Sequence, residues 1–292
     1  MPLVVASSAI NAGQVVGVIG SGIVPVTNWS MFRFPAPFNI ISPASNYGAV
    51  VATIGEFDGA PRRAQIGVTD AHFFLFTAAG GYLLRYAKSG GAATAVQIAP
   101  TIAAWPVRLT RLTSGNLLVV YVKPSTTTIG FQIIDPNTMS AVRADTSPSE
   151  TTADNGTNIL SDVIALSGGG FVGVYNNGGN ARAVRWDNAG NVVAGPVTIR
   201  TSVGTAYLRA VELSDGNIGV ASHQSGASNP GLNAIVINGS TLAVIGTPVV
   251  LSSTTPGSHK EGPDIVAGAG FFALAAANGT AYVAGVVSNA SV

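Results

Sequence analysis

The amino-acid sequence predicts an all-β fold: a β-propeller of five clear four-stranded repeats, with its ring closed by an N-terminal strand. Three observations carry that expectation. Apolar runs of four to eight residues alternate with Gly, Asn, Ser and Pro, and the chain holds 36 glycines and 16 prolines in 292 residues. Such runs are too short and too often broken for helices. A stretch with one pattern recurs five times. Each recurrence is followed by a segment with hairpin-turn chemistry.

The five stretches are VTDAHFFLFT from Val68, LTSGNLLVVY from Leu112, LSGGGFVGVY from Leu166, LSDGNIGVAS from Leu213 and VAGAGFFALA from Val266, spaced 44, 54, 47 and 53 residues apart. Each has an aliphatic residue, a small polar turn and an apolar run beginning five residues on. Upstream lie RAQIGV, VRLTRL, DVIAL, YLRAVEL and DIVA. These read as a first strand, A, with the apolar run as strand B. Downstream, segments such as AVRWDNAGNVV and NAIVINGSTLAVIG turn through DNAG and NGS, as DPNT and KSGG do in other copies. There Gly and Asn accept positive φ and Asp or Pro sets the bend, which makes strands C and D. A four-stranded sheet of this size cannot cover both its faces alone, whereas five stacked radially can. Runs such as FVGVY are apolar throughout, as strands covered on both faces are. The small residues Gly173, Gly219 and Ala273 are expected to let neighbouring sheets approach. A β-sandwich pair or a trimeric fibre of stacked hairpins is the rival architecture.

The last copy ends without a strand D. The N-terminal QVVGVIGSGIVPV (14–26) is a candidate to supply it and so close the ring. No residue before Arg33 is charged, which suits a segment packed against this chain or a neighbour. The expected division is residues 1–27 as an N-terminal strand segment, for ring closure or docking on a partner, and 28–292 as the propeller. Residues 28–63 lack the repeat anchor and leave a sixth blade open.

Strand order implies two unlike ends. A–B and C–D turns share one end and are short. B–C loops and D–A crossovers share the other and are long. Trp105, Lys123, Glu150, Asp154, His223, His259, Lys260 and Glu261 therefore crowd onto one face, and loops on a rigid scaffold are where binding concentrates. The candidate ligand-binding residues are Trp105, Lys123, His223, His259 and Glu261.

Composition limits the chemistry. Net charge is +1 and charged residues are 9%, so nothing marks the chain for nucleic acid or an anionic membrane surface. No apolar run reaches the roughly 20 residues of a spanning helix. The opening MPLVVASSAINAGQ has no basic start, so no signal peptide is expected. With no cysteine, disulfides and thiolate metal sites are excluded. The densest titratable group is SHKEGPD, with His259, Lys260, Glu261 and Asp264. It reads as a solvated loop, and with His223 it lacks a firm third metal ligand. Asp135, Asp187 and Asp215 read as turn formers, and Trp186 as packing. SDGN is similar to the Asp-box of sialidase-type propellers, but its Thr-Trp element is absent and no motif groups three of the arginines. No catalytic residue, metal or cofactor is expected.

The repeated L-S-D/G-G-G/N-F/I-V-x-V with its D-x-x-G-N hairpin, over roughly residues 64–292, resembles the degenerate propeller repeats of large bacterial and phage surface proteins. INAGQVVGVIGSGIVPVT, roughly residues 8–27, resembles a bacteriophage virion module that attaches a protein to a tail or head. Together they imply a non-enzymatic virion component, a tail, fibre or decoration protein. Its partners would be other virion proteins, further copies of itself and a host-surface glycan. The alternatives are a secreted or surface glycan-binding propeller and, last, a polysaccharide hydrolase.

Overall fold

The computed structural model describes residues 16–19, 22–25, 64–69, 71–77, 82–89, 93–98, 108–122, 129–146, 160–177, 179–203, 206–224, 231–253, 263–278 and 281–288. Every regular element among them is a β-strand. Five antiparallel sheets follow in chain order, each a simple meander. Blade 1 is β3 (Ala64–Val68), β4 (His72–Thr77), β5 (Tyr82–Ala87) and β6 (Thr94–Gln97). Blade 2 is β7 (Arg108–Arg111), β8 (Leu117–Val122), β9 (Ile129–Ile134) and β10 (Ala141–Thr146). Blade 3 is β11 (Leu160–Ala165), β12 (Phe171–Asn177), β13 (Asn180–Trp186) and β14 (Val192–Arg200). Blade 4 is β15 (Ala206–Glu212), β16 (Ile218–Gln224), β17 (Gly231–Ile237) and β18 (Val244–Ser252). Blade 5 has three strands, β19 (Asp264–Gly268), β20 (Phe271–Asn278) and β21 (Ala281–Ser288).

Strands A are the inner ones. β3 adjoins β7, β7 adjoins β11, β11 adjoins β15 and β15 adjoins β19. Strands D lie outermost and turn Val142, Val193 and Val250 to solvent. The core is four apolar layers, one in each gap between consecutive blades. Phe74, Phe76 and Leu83 meet Leu117, Val119 and Ile134 between blades 1 and 2. Phe131 and Ile133 meet Phe171 and Trp186 between blades 2 and 3. Val172, Val174 and Ala183 meet Ile218, Val220 and Ile235 between blades 3 and 4. Leu232, Ala234 and Val236 meet Phe272, Leu274 and Val287 between blades 4 and 5. Each buried Leu, Val or Phe contributes about 1.5–3 kcal/mol, so the blades hold together by their flat faces. This is the β-propeller the repeat predicts.

Several details differ from the expectation. In blades 2 to 4 the anchoring Leu112, Leu166 and Leu213 sit just past strand A and are buried. Val266 does not match them: it lies inside β19 and is 62% exposed. The turn of blade 5 is only Ala269–Gly270, since Gly268 already pairs with Phe271, so the sequence anchor slides along the strand. Gly173 admits no neighbouring sheet. A Cβ there would lie 3.1 Å from the Trp186 ring of its own blade, and Trp186 stacks on Phe171 at 4.9 Å across that space. Gly219 does face the next blade, where Phe272 would lie 3.3 Å from an added Cβ.

The N-terminal segment is not one strand. β1 (Val16–Ile19) and β2 (Gly22–Pro25) form a separate antiparallel two-stranded sheet in which Ile19 pairs with Gly22. The fourth strand of blade 5 is absent among the described residues, which do not join blade 5 to blade 1. The 27/28 boundary and residues 28–63 lie outside the described residues.

Candidate functional site

The two ends of the propeller differ in how their polar groups are used. At the short-turn end, side chains close their own turns. Asp135 Oδ1 accepts the Asn137 amide at 2.8 Å, and this N–H holds the carboxyl below its usual range. Asp187 accepts the amides of Ala189 and Asn191. Asn238 accepts those of Ser240 and Thr241.

The same end carries a repeated tie between blades. Arg85 of blade 1 donates to the carbonyls of Pro136 and Asn137 in the C–D turn of blade 2. Arg143 of blade 2 donates to the carbonyl of Ala189 at 2.7 Å and to Asn191 Oδ1 at 2.9 Å in the C–D turn of blade 3. Arg185 of blade 3 donates to the carbonyl of Gly239 at 3.0 Å in the C–D turn of blade 4. Arg85 and Arg185 occupy one position: they pair with Phe74 and Val172, each the second core residue of its strand B. These arginines are guanidinium clamps on carbonyl oxygens, and they fasten this end.

Nearer the long-loop end lies an axial layer. Arg108 pairs with Val120, Asp162 with Val174 and Arg209 with Ala221, so all three stand at one level on strand A. Arg108 Nε donates to Asp162 Oδ1 at 3.2 Å, and Arg209 Nη1 lies 4.0 Å from the same oxygen. Oδ1 also takes the Val163 amide, and Oδ2 takes the Ala210 amide at 3.0 Å. Burial lowers the Arg108 pKa, and the facing Asp162 carboxylate opposes that shift. Three donors and the nearby Arg209 guanidinium hold the Asp162 carboxylate and make it a linchpin of blades 2, 3 and 4. In blade 5 Asp264 opens β19 and is exposed.

The inter-blade layers are apolar for most of their length and become polar at the long-loop end. Asn176 ends the column of Val172 and Val174, while Ser222 and Asn233 end those of Ile218, Val220 and Ile235. All three are fully buried. Between blades 1 and 2 Gln132 Nε2 donates to the Ile98 carbonyl at 2.7 Å, and the Tyr121 hydroxyl donates to Asp145 Oδ1 at 2.6 Å. Burial first, then this bond, pushes the Tyr121 phenol up. His223 sits at the same end of β16, shares its sheet face with Ala221 and Leu232, and is 2% exposed. Its Nδ1 is buried with no hydrogen-bond partner, and desolvation lowers its pKa.

Of the sequence candidates, only His223 falls among the described residues, within the layer between blades 4 and 5 rather than on the surface. Trp105, Lys123, His259 and Glu261 lie outside the described residues, as do Glu150, Asp154 and Lys260. Among the described residues no three His, Asp or Glu side chains converge as a metal site. The sequence reading missed Arg108, Asp162 and Arg209, although a signal existed. Each stands four residues before an anchoring leucine, in RLTRL, DVIAL and RAVEL.

No protein-family model matches the chain, and no curated protein matches it. Solved structures do share its fold. Dihydro-heme d1 dehydrogenase NirN has 15% identity over 79% of this chain and 45% of its own, with a TM-score of 0.51. The β-propeller domain of the Trilobed protease from Pyrococcus furiosus has 8% identity over 78% and 70%, with a TM-score of 0.45. An α-L-arabinofuranosidase from Clostridium thermocellum has 11% identity over 80% and 85%, with a TM-score of 0.42. The chain thus spans under half the length of NirN. At these identities the likeness is one of fold. The expectation of a non-enzymatic chain is corrected here: enzymes stand among the similar structures, the dehydrogenase NirN at a TM-score of 0.51 among them, so the fold gives no ground for excluding catalysis. The likeness transfers no catalytic residue.

Proposed function

We propose that this chain is a recognition propeller that meets a cell-surface glycan through its long-loop face, as a component of a bacteriophage particle. One observation carries the glycan-facing part. The short-turn end is closed by its own hydrogen bonds and by the arginine ties, while the B–C loops and D–A crossovers all issue from the opposite end. A rigid scaffold with one fastened end and one end of variable loops is built to present the loops. The virion setting rests on the sequence resemblance of the repeats and of residues 8–27. Docking on other virion proteins and self-association belong to the same reading.

The full chain is to be applied to an array of bacterial surface glycans and incubated with the glycans it retains. Retention of a defined set is expected, weakened at least tenfold by Trp105→Ala or Lys123→Ala and unchanged by Thr138→Ala at the opposite end. Release of new reducing ends would show that the same face also cleaves what it holds. A blank array together with no cleavage defeats the reading.

A further inference from the structure

Blade 5 has one face against blade 4 and one face that no described strand covers. Ala267, Phe272 and Val287 form a row on the covered face. On the other, Val266, Ala273 and Val286 form one row and Asp264, Ala275 and Ala284 the next. Val266 is 62% exposed, Val286 63% and Phe271 42%, and an open groove of about 550 Å³ runs over these rows. In blades 2 to 4, covered on both sides, strand-B residues such as Leu118, Phe171 and Val220 are buried. The outer edge of β21 is also without a strand partner among the described residues.

The same chain holds a short apolar hairpin that joins none of the five blades among the described residues. The β1–β2 hairpin pairs only with itself in the strand order. Its sequence, VGVIGSGIVP, has Ser21 as its single polar side chain. A lone two-stranded hairpin is marginal in water. The 38 residues from 26 to 63 reach at most roughly 130 Å, so the hairpin can arrive at any part of its own chain, where tethering keeps its effective concentration high.

We propose that the β1–β2 hairpin of this chain docks on the open face of blade 5, over Val266, Phe271 and Val286 and beside the edge of β21. An apolar ribbon that pairs with no other described strand and an apolar face that no described strand covers are joined by enough chain to bring them together. The hairpin then takes the place that blade 4 takes on the opposite face. This inference is independent of what the long-loop face binds.

The absence of cysteine makes the test clean. Val286→Cys in the full chain is to be labelled with a maleimide alongside Val142→Cys, which sits 58% exposed on β10. Labelling at position 286 is expected to be at least tenfold slower, and Ile23→Asp is expected to restore it to the rate at position 142. A photo-crosslinking p-benzoylphenylalanine in place of Phe271 gives a second readout with the hairpin intact, and its adducts should map to residues 16–25 of the same chain. Equal labelling rates at 286 and 142 would overturn the proposal. So would adducts on another segment, or adducts between two chains, which would make a second copy the cover.

Discussion

Asp162 and His223 show how single polar residues survive inside a wall of aliphatic ones. Asp162 is tolerable near the axis because three donors and the Arg209 charge surround it, two of the donors being backbone amides that cannot leave. Asp162→Asn removes the charge that offsets the buried Arg108 guanidinium. Taking one partner from such a pair costs about 3–5 kcal/mol, so a drop of that order in urea-unfolding free energy is expected. A loss below about 1 kcal/mol would show that water reaches the layer. His223 predicts a pH effect of definite sign. Its folded pKa is depressed, so the unfolded chain binds a proton near pH 6.5 while the folded chain does not. Stability from this group is therefore complete above about pH 6.5 and falls as pH drops below it toward the folded value. Unfolding free energies at pH 7.5 and 5.5 should differ for the native chain, and His223→Leu should shrink that difference. An unchanged difference assigns the effect elsewhere.

At the scale of the strand and its turn, glycines one step apart in matching turns meet different surroundings. Gly115 and Gly170 both adopt positive φ, at +88° and +81°, in the A–B turns of blades 2 and 3. An added Cβ meets nothing at Gly115 but falls 2.1 Å from the Trp186 carbonyl at Gly170. Gly115→Ala should lose only about 1–2 kcal/mol for the left-handed backbone. Gly170→Ala should lose clearly more, since backbone must move. Thermal melts of the two variants compare them directly, and equal shifts would remove the steric distinction. The strands were legible in the sequence because their signals are local: apolar runs of period two and Asx or glycine turns, each contained within about ten residues. The arginine ties were not, since Arg85, Arg143 and Arg185 each act on a turn about 50 residues away. The fifth anchor failed for a related reason. Val266 matches the leucines in type, but a shorter turn moves it out of their place.

For the molecule as a whole, stability resides in the layers between blades, and these are unequal. Blades 2, 3 and 4 are covered on both faces and tied by arginines, whereas blade 4 presents apolar Val236 and Ile245 to blade 5 where an arginine stands in blades 1 and 3. Hydrogen exchange should follow this order. Amides of β8, β12 and β16 are expected to exchange slowest and those of β21 faster, with β20 between them. Exchange of β21 as slow as that of β12 would mean that blade 5 is as fully embedded as blade 3.

The sequence by itself determined the strands, their grouping in fours, the turn residues and the end from which the D–A crossovers issue, because all of these follow from local pattern and from strand order; its long B–C loops were not general, since only two residues separate β12 from β13 and β20 from β21. Only the tertiary structure decided which polar residues stand together. Arg108, Asp162 and Arg209 are about 50 residues apart along the chain and become neighbours only when equivalent inner strands are set side by side around the axis. Only the tertiary structure placed His223 inside a layer, since a residue near a strand end is surface or core according to the sheet packed against it. Among the described residues, long-range packing also left one face of blade 5 without a covering strand, which no local pattern of apolar residues records.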